Sequence, residues 1–348
     1  MTTEAPRILL IRRDNIGDLV LTTPLFNALR RQFPQSILWA LVTSYNRAVL
    51  DNHPALNRVV SYVKAKHLEP GESVIGCYIE RLRLLLALRR QKFDYCVLAA
   101  PGYQKRAMTL ARWVGARHVV GFVEEGKPHA ALIDRPVPWR FNPSLSETED
   151  VWGLAHAFDI DGAPGRLEIR PDLAALANAR ATLGAAGPGR LVGIHLSARK
   201  PSQRWPIERY AELLRRLHRT HACRFMLLWS PGAPDNPRHP GDDDKAASLL
   251  GCTADLPVQP MPTQSLDQLI AALSLCDEVI CPDGGAMHLA AALGKPIVCL
   301  FGQSDTKRWH PWGVPYRLLQ APSRDVNDIS TDDVAAAYAA LCEELERS

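Results

Sequence analysis

The chain has 348 residues, 47% of them hydrophobic and 22% charged, with a formal net charge of +4. That length accommodates two domains with a core each, and the composition is globular, which excludes disordered, collagen-like and disulfide-scaffold classes. No apolar run approaches 18 residues, so no transmembrane helix is expected, and the eight scattered cysteines read as reduced core thiols.

The stretch Met1-Thr-Thr-Glu-Ala-Pro-Arg7 enters a strand-like segment at once and lacks the shape of a signal peptide, so a cytoplasmic protein is expected. Residues 1–165 hold 21 Lys+Arg against 16 Asp+Glu, and the remainder holds 20 against 21. A basic first half suits an anionic partner, although a solvated charged face is the commoner cause of so modest an excess.

Apolar runs of strand length alternate with helical patterns. Arg7–Arg12 reads as a buried strand, Leu19–Phe33 as one helix, Ile37–Val42 and Arg58–Val63 as strands. Tyr78–Gln91 (helix), Phe93–Ala99 (strand), Gln104–Val114 (helix) and Arg117–Phe122 (strand) follow. Turn residues dominate Asp159–Gly165, which predicts domains at 1–165 and 166–348. The second half repeats the alternation: helix Leu173–Leu183, strand Leu191–Leu196, helix Ile207–Thr220, strand Arg224–Trp229, a Pro/Gly/Asp-rich loop and a helix into Leu250. Helix Ser265–Leu275, strand Val279–Cys281, helix Ala286–Leu293 and strand Ile297–Phe301 come next. Such alternation predicts α/β domains with parallel sheets covered on both faces, and ligand sites at the carboxyl ends of the strands. A last amphipathic helix, Asp332–Leu345, is free by sequence to pack on either domain.

Four stretches carry the chemistry. After the first strand, Arg12-Arg-Asp-Asn-Ile-Gly-Asp18 sets carboxylates where a helix begins. Asp18 is either a helix cap, the commoner role, or a carboxylate that takes a proton from a substrate hydroxyl. After the strand ending at Leu196, Ser197-Ala-Arg-Lys-Pro-Ser-Gln-Arg-Trp-Pro206 joins hydroxyls to cations just before a helix. This suits a diphosphate, with Lys200 and Arg204 balancing charge; a solvated basic loop has the same composition. Asp242-Asp-Asp244 resembles a metal-binding carboxylate run, but its place before Lys245-Ala-Ala reads better as an acidic helix N-terminus, so no metal ligands are assigned. In Cys281-Pro-Asp-Gly-Gly-Ala286 an apolar strand runs into two glycines and an Ala/Leu-rich helix. Gly284 and Gly285 let backbone approach a ligand, and the helix start offers unpaired N–H groups to an anion such as phosphate. An ordinary strand–turn–helix is the plain alternative. The dinucleotide, P-loop and serine-hydrolase fingerprints are absent, and His195 and His310 read as structural or loop residues.

Taken together, Ile8–Leu25, His195–Pro206 and Pro282–Pro296 with Val298–Gly302 resemble the lipopolysaccharide heptosyltransferases, glycosyltransferase family 9. The resemblance implies a GT-B type fold: two Rossmann-like doubly wound domains facing a central cleft, acceptor on the first and nucleotide sugar on the second. It implies inverting, metal-independent transfer of heptose from ADP-heptose to the lipopolysaccharide inner core, with the ADP-sugar as substrate and no cofactor. Asp18 then matches the general base, and Asp283, Gly284, Gly285, Ala286 and His288 the donor end. Ser197 and Ala198 match the loop facing the phosphates, Asp243 a ribose contact, and Met261 the adenine edge. Where relatives commonly carry a diphosphate-binding lysine, this chain has Gln203, which leaves Lys200 or Arg204 to supply the charge and the donor's identity open. The same fold with another sugar or acceptor, and a nucleotide-sugar epimerase, are the alternatives.

The implied partners are a nucleotide sugar and an anionic lipid-linked saccharide, not nucleic acid. Lys64 and Lys66 are candidates for the acceptor's phosphate and carboxylate groups, alongside Arg81, Arg83, Arg89, Arg90 and Lys92. The segment Arg81–Arg90 mixes leucine with arginine, as either a peripheral contact to the inner face of the inner membrane or, more commonly, a core helix with an exposed basic edge.

Overall fold

The computed structural model describes residues 5–64, 73–124, 132–184, 187–233 and 241–347. Two compact units divide at Ile169/Arg170, beyond the expected boundary at 165. The intervening residues stay with unit 1 because Leu167 and Ile169 are buried and Glu168 is tied to helix residues: its N–H donates to Thr23 Oγ1 (3.1 Å) and its Oε2 accepts from Asn27 (3.0 Å).

In unit 1, strands β1 (Arg7–Ile11), β2 (Ile37–Thr43), β3 (Arg58–Tyr62), β4 (Tyr95–Leu98), β5 (His118–Glu124) and β6 (Arg135–Trp139) form one sheet in the order β3-β2-β1-β4-β5-β6. Every pairing is parallel. Unit 2 repeats this with β7 (Leu191–His195), β8 (Arg224–Trp229), β9 (Val258–Pro262), β10 (Glu278–Pro282), β11 (Ile297–Phe301) and β12 (Tyr316–Gln320), ordered β9-β8-β7-β10-β11-β12 and again parallel throughout. The order reverses between β1 and β4 in one sheet and between β7 and β10 in the other. Those reversals are the topological switch points where doubly wound sheets leave a crevice for ligands. The central strands are fully buried apolar runs such as Leu191–His195 and Ile297–Phe301, as strands covered on both faces require.

Three strands escape the sequence reading, β6, β9 and β12, and all three lie at sheet edges. Arg135-Pro-Val-Pro-Trp139 and Val258-Gln-Pro-Met-Pro262 each contain two prolines, which an edge tolerates and a central ladder does not. The expected single helix Leu19–Phe33 is two: α1 (Ile16–Val20) and α2 (Thr23–Gln32). Pro24 lacks the N–H that would continue the first helix, and Thr22 and Thr23 turn their hydroxyls back to the carbonyls of Asp18 (2.8 Å) and Val20 (2.7 Å).

The remaining helices of unit 1 are α3 (Val74–Arg89), α4 (Lys105–Val114) and α5 (Glu147–Trp152). Those of unit 2 are α6 (Leu173–Leu183), α7 (Ile207–His221), α8 (Asp243–Cys252), α9 (Leu266–Leu275), α10 (Gly285–Ala292), α11 (Thr306–Trp309) and α12 (Thr331–Arg347). The last of these packs within unit 2. Val334, Tyr338 and Leu341 are wholly buried in the core that α7, β7 and β8 share. All eight cysteines are free and seven are buried. No helix among the described residues is long and apolar enough to cross a membrane.

Candidate functional site

At the switch point of unit 1 a buried arginine organises the turn. Arg12, 2% exposed, leaves the end of β1 and donates from Nη1 to Ala99 O (2.5 Å), just past β4. Its Nη2 donates to Asp18 Oδ1 (3.1 Å) and Glu147 Oε1 (2.6 Å), and its Nε lies 3.1 Å from Asp14 Oδ2. Burial opposes the guanidinium charge, but Glu147, Asp18 and Asp14 outweigh it and raise the pKa above the ordinary arginine value. Asp18 also serves as a cap, its Oδ2 accepting from Asn15 N (2.9 Å) and Nδ2 (3.0 Å). The structure shows the cap reading of Asp18, and the same contacts hold its carboxylate beside the end of β1.

Glu147 was not among the sequence candidates. Ser146-Glu-Thr-Glu149 is a capping box, with Ser146 N–H donating to Glu149 Oε2 at 2.8 Å and Glu149 N–H to Ser146 Oγ at 3.2 Å. That signature announces a helix start. Nothing local announces its pairing with Arg12, 135 residues away. Of the acceptor candidates, Lys64 directs its Nζ to Arg13 O (2.5 Å), beside the same turn, while Lys66 lies outside the described residues.

The switch point of unit 2 brings together the loop after β7 and the turn after β10. Gln203 Nε2 donates to Asp283 Oδ2 at 2.7 Å, and both residues are buried. Burial raises the Asp283 pKa, against the lowering influence of a hydrogen bond from Ser304, the charge of Lys200 and the Gln203 amide. Lys200 is exposed, whereas Arg204 braces its own loop, donating to Ala198 O at 3.0 Å and Arg199 O at 3.5 Å. Trp205 anchors the loop's far end by donating Nε1 to Ile329 O (3.0 Å) and packing edge-on against Tyr210. The loop can lie this close only because residue 302 is glycine: a Cβ there would meet Ser202 O at 2.5 Å.

Gly284 has φ of 154°, a conformation open to glycine, and starts α10. The first N–H groups of that helix lack intrahelical partners, as in any helix, and lie beside Asp283. Ala286 and His288 are buried in α10, the His288 ring 6.3 Å from that of Trp309.

Other candidates take more structural positions. Ser197 Oγ accepts from Ser230 N (2.9 Å), tying the two loops together. Asp243 heads α8, its Oδ1 accepting from Trp229 Nε1 (2.7 Å) and its Oδ2 from Gly232 N (2.9 Å); these bonds lower its pKa. Met261 is buried on β9 opposite Leu228. Asp242 pairs with Lys245, as the acidic-helix-start reading anticipates. Among the described residues no His, Cys, Asp and Glu side chains gather in threes to hold a metal ion.

A family model described as glycosyltransferase family 9 (heptosyltransferase) matches residues 81–338. The chain belongs to this family. The matched segment contains the Gln203–Asp283 site and starts after the Asp18 turn. The lipopolysaccharide heptosyltransferase 2 of Escherichia coli K12 is 23% identical over 328 residues, spanning 90% of this chain and 88% of that one. Two solved structures share the fold. They are the E. coli ADP-heptose lipopolysaccharide heptosyltransferase II (TM-score 0.77, 20% identity, 98% of this chain and 99% of that one) and E. coli heptosyltransferase WaaC with ADP (TM-score 0.78, 19% identity, 96% and 99%). The two Rossmann-like sheets are thus those of a family 9 enzyme of the GT-B class.

Proposed function

We propose that the protein is an inverting, metal-independent glycosyltransferase that moves heptose from ADP-heptose to the inner core of lipopolysaccharide. The observation that carries this reading is the occupancy of both switch points. One holds Asp18 at the start of α1, and the other holds Asp283 with the start of α10 and the Lys200–Gln203 loop. The names of the relatives support the sugar and the acceptor class, and the structure of one of them carries ADP.

In this reading an acceptor hydroxyl attacks the anomeric carbon as the bond to the diphosphate oxygen breaks, through an oxocarbenium-like transition state. The hydroxyl proton passes to a carboxylate oxygen of Asp18. The electron pair leaves with ADP, whose developing charge is met by the N–H groups of α10 and by Lys200. Arg12 keeps Asp18 oriented through the transfer. Gln203, at the position of the family's lysine, orients Asp283 instead of meeting the diphosphate with a charge.

The test is product formation. Purified protein is incubated with ADP-heptose and a lipid A–Kdo acceptor or its heptosylated product, with chelator present, and the product is weighed by mass spectrometry. Heptose addition that survives chelation and falls about 10²–10⁴-fold in Asp18→Asn is the expected outcome. Turnover close to normal in that variant removes Asp18 as base. A calorimetric preference for UDP- or GDP-sugars removes the donor assignment, and donor breakdown without acceptor favours an epimerase.

A further inference from the structure

Helix α3 is apolar on both sides. Cys77, Leu85 and Leu88 face the core of unit 1, yet Ile75, Tyr78, Ile79, Leu82 and Leu86 are 42–72% exposed. The exposed positions recur at steps of three and four residues, so they form one stripe along the outer side of the helix. Six of the eleven exposed large hydrophobic side chains among the described residues belong to this helix. Single exposed apolar residues are ordinary, whereas a contiguous stripe marks a contact surface. The expected basic edge is present, with Arg83, Arg89 and Arg90 exposed, and beside it runs an apolar line that the sequence reading did not anticipate.

Helix α4 packs beside α3 and presents Lys105, Arg106, Arg112 and Trp113 outward. The two helices together carry six cations against one carboxylate, Glu80. Between them lies a hollow of about 380 Å³ lined in part by Tyr78, Arg81, Leu82, Arg106 and Trp113. Arg81 is fixed at its rim, donating to Val63 O at 2.7 Å, with its guanidinium 4.7 Å from the centre of the Tyr62 ring and 5.1 Å from that of Tyr78.

We propose that the outer face of α3 and α4 is a membrane-docking surface for a bilayer rich in anionic lipid. The apolar stripe enters the boundary between headgroups and acyl chains, where tyrosine and tryptophan are favoured. The flanking arginines and lysine meet lipid phosphates, an attraction that salt weakens. A second copy of the chain fits this face poorly, because pairing it with itself would bring six cations against six. The inference stands on unit 1 alone and does not depend on the identity of the sugar.

The full chain is tested by flotation with phosphatidylcholine vesicles, with and without phosphatidylglycerol, at low and high salt. It is expected to float with the anionic vesicles at low salt, to be released by high salt, and to remain behind with neutral vesicles. The double variant Ile79→Glu/Leu82→Glu changes only exposed positions and keeps the wild-type melting curve, while its vesicle partition falls about tenfold. Absence of wild-type flotation on anionic vesicles at low salt overturns the proposal, as does equal flotation on neutral ones. A wild-type dimer that the double variant breaks, seen by sedimentation velocity, assigns the face to a second copy and also overturns it.

Discussion

The side-chain amide of Gln203 donates to the Asp283 carboxylate at 2.7 Å across 80 residues of sequence, with both residues buried. Gln203→Leu removes a donor from a buried carboxylate, which costs about 1–3 kcal/mol. It also leaves the Asp283 pKa further raised. A carboxyl group raised on folding contributes stability at low pH that is lost as pH rises through its folded value. Urea unfolding is therefore expected to show a penalty that grows as pH rises above the ordinary carboxylate range. A penalty that does not change with pH would detach Gln203 from the ionisation of Asp283.

His195, buried at the end of β7, is lowered to about 4 by burial, against the opposing charge of Asp242. Its Nδ1 has no hydrogen-bond partner among the described residues. A group depressed on folding contributes stability present above its unfolded pKa, near 6.5, and lost as pH falls toward 4. The shift corresponds to roughly 3 kcal/mol. Acid unfolding followed by circular dichroism is expected to begin within this window, and His195→Gln is expected to flatten that part of the curve. An unchanged acid limb would assign the transition to other groups.

Arg12 is the shared counter-charge of Asp14, Asp18 and Glu147. Arg12→Met removes the counter-charge that the buried Glu147 carboxylate shares with Asp14 and Asp18, and is expected to cost about 3–5 kcal/mol. Arg12→Lys keeps a charge but not the fork that reaches Ala99, Asp18 and Glu147 together, so an intermediate loss is expected. Chemical denaturation ranks the three proteins; a lysine variant as stable as wild type would show that charge alone suffices.

Gly302→Ala sets a methyl group against the backbone carbonyl of Ser202, which must retreat. The loop carrying Gln203 then moves off Asp283, at a cost of about 1–3 kcal/mol. Donor affinity measured by calorimetry is expected to weaken as well. Undiminished affinity would mean that this loop does not position the donor site.

Much of the molecule was legible in its residues. Central strands declare themselves because burial on both faces demands unbroken apolar runs, and Leu191–Leu196 and Ile297–Phe301 are of that kind. Strands β6, β9 and β12 were hidden because an edge relaxes that demand and admits proline. The apolar outer stripe of α3 was hidden for the opposite reason: leucine and isoleucine at helical spacing look like core until their exposure is known.

By itself, the sequence determined the alternation of strands and helices, the glycine turn before α10 and the residues available for chemistry, because these depend on neighbours a few positions apart. The tertiary structure alone decided their pairing. Arg12 meets Glu147 because β1 and α5 fold into one unit, and Gln203 meets Asp283 because β7 and β10 lie side by side at a reversal of strand order. Contacts between residues 80 and 135 positions apart leave no local pattern, since parallel strands bring their ends together only after the intervening chain has crossed over.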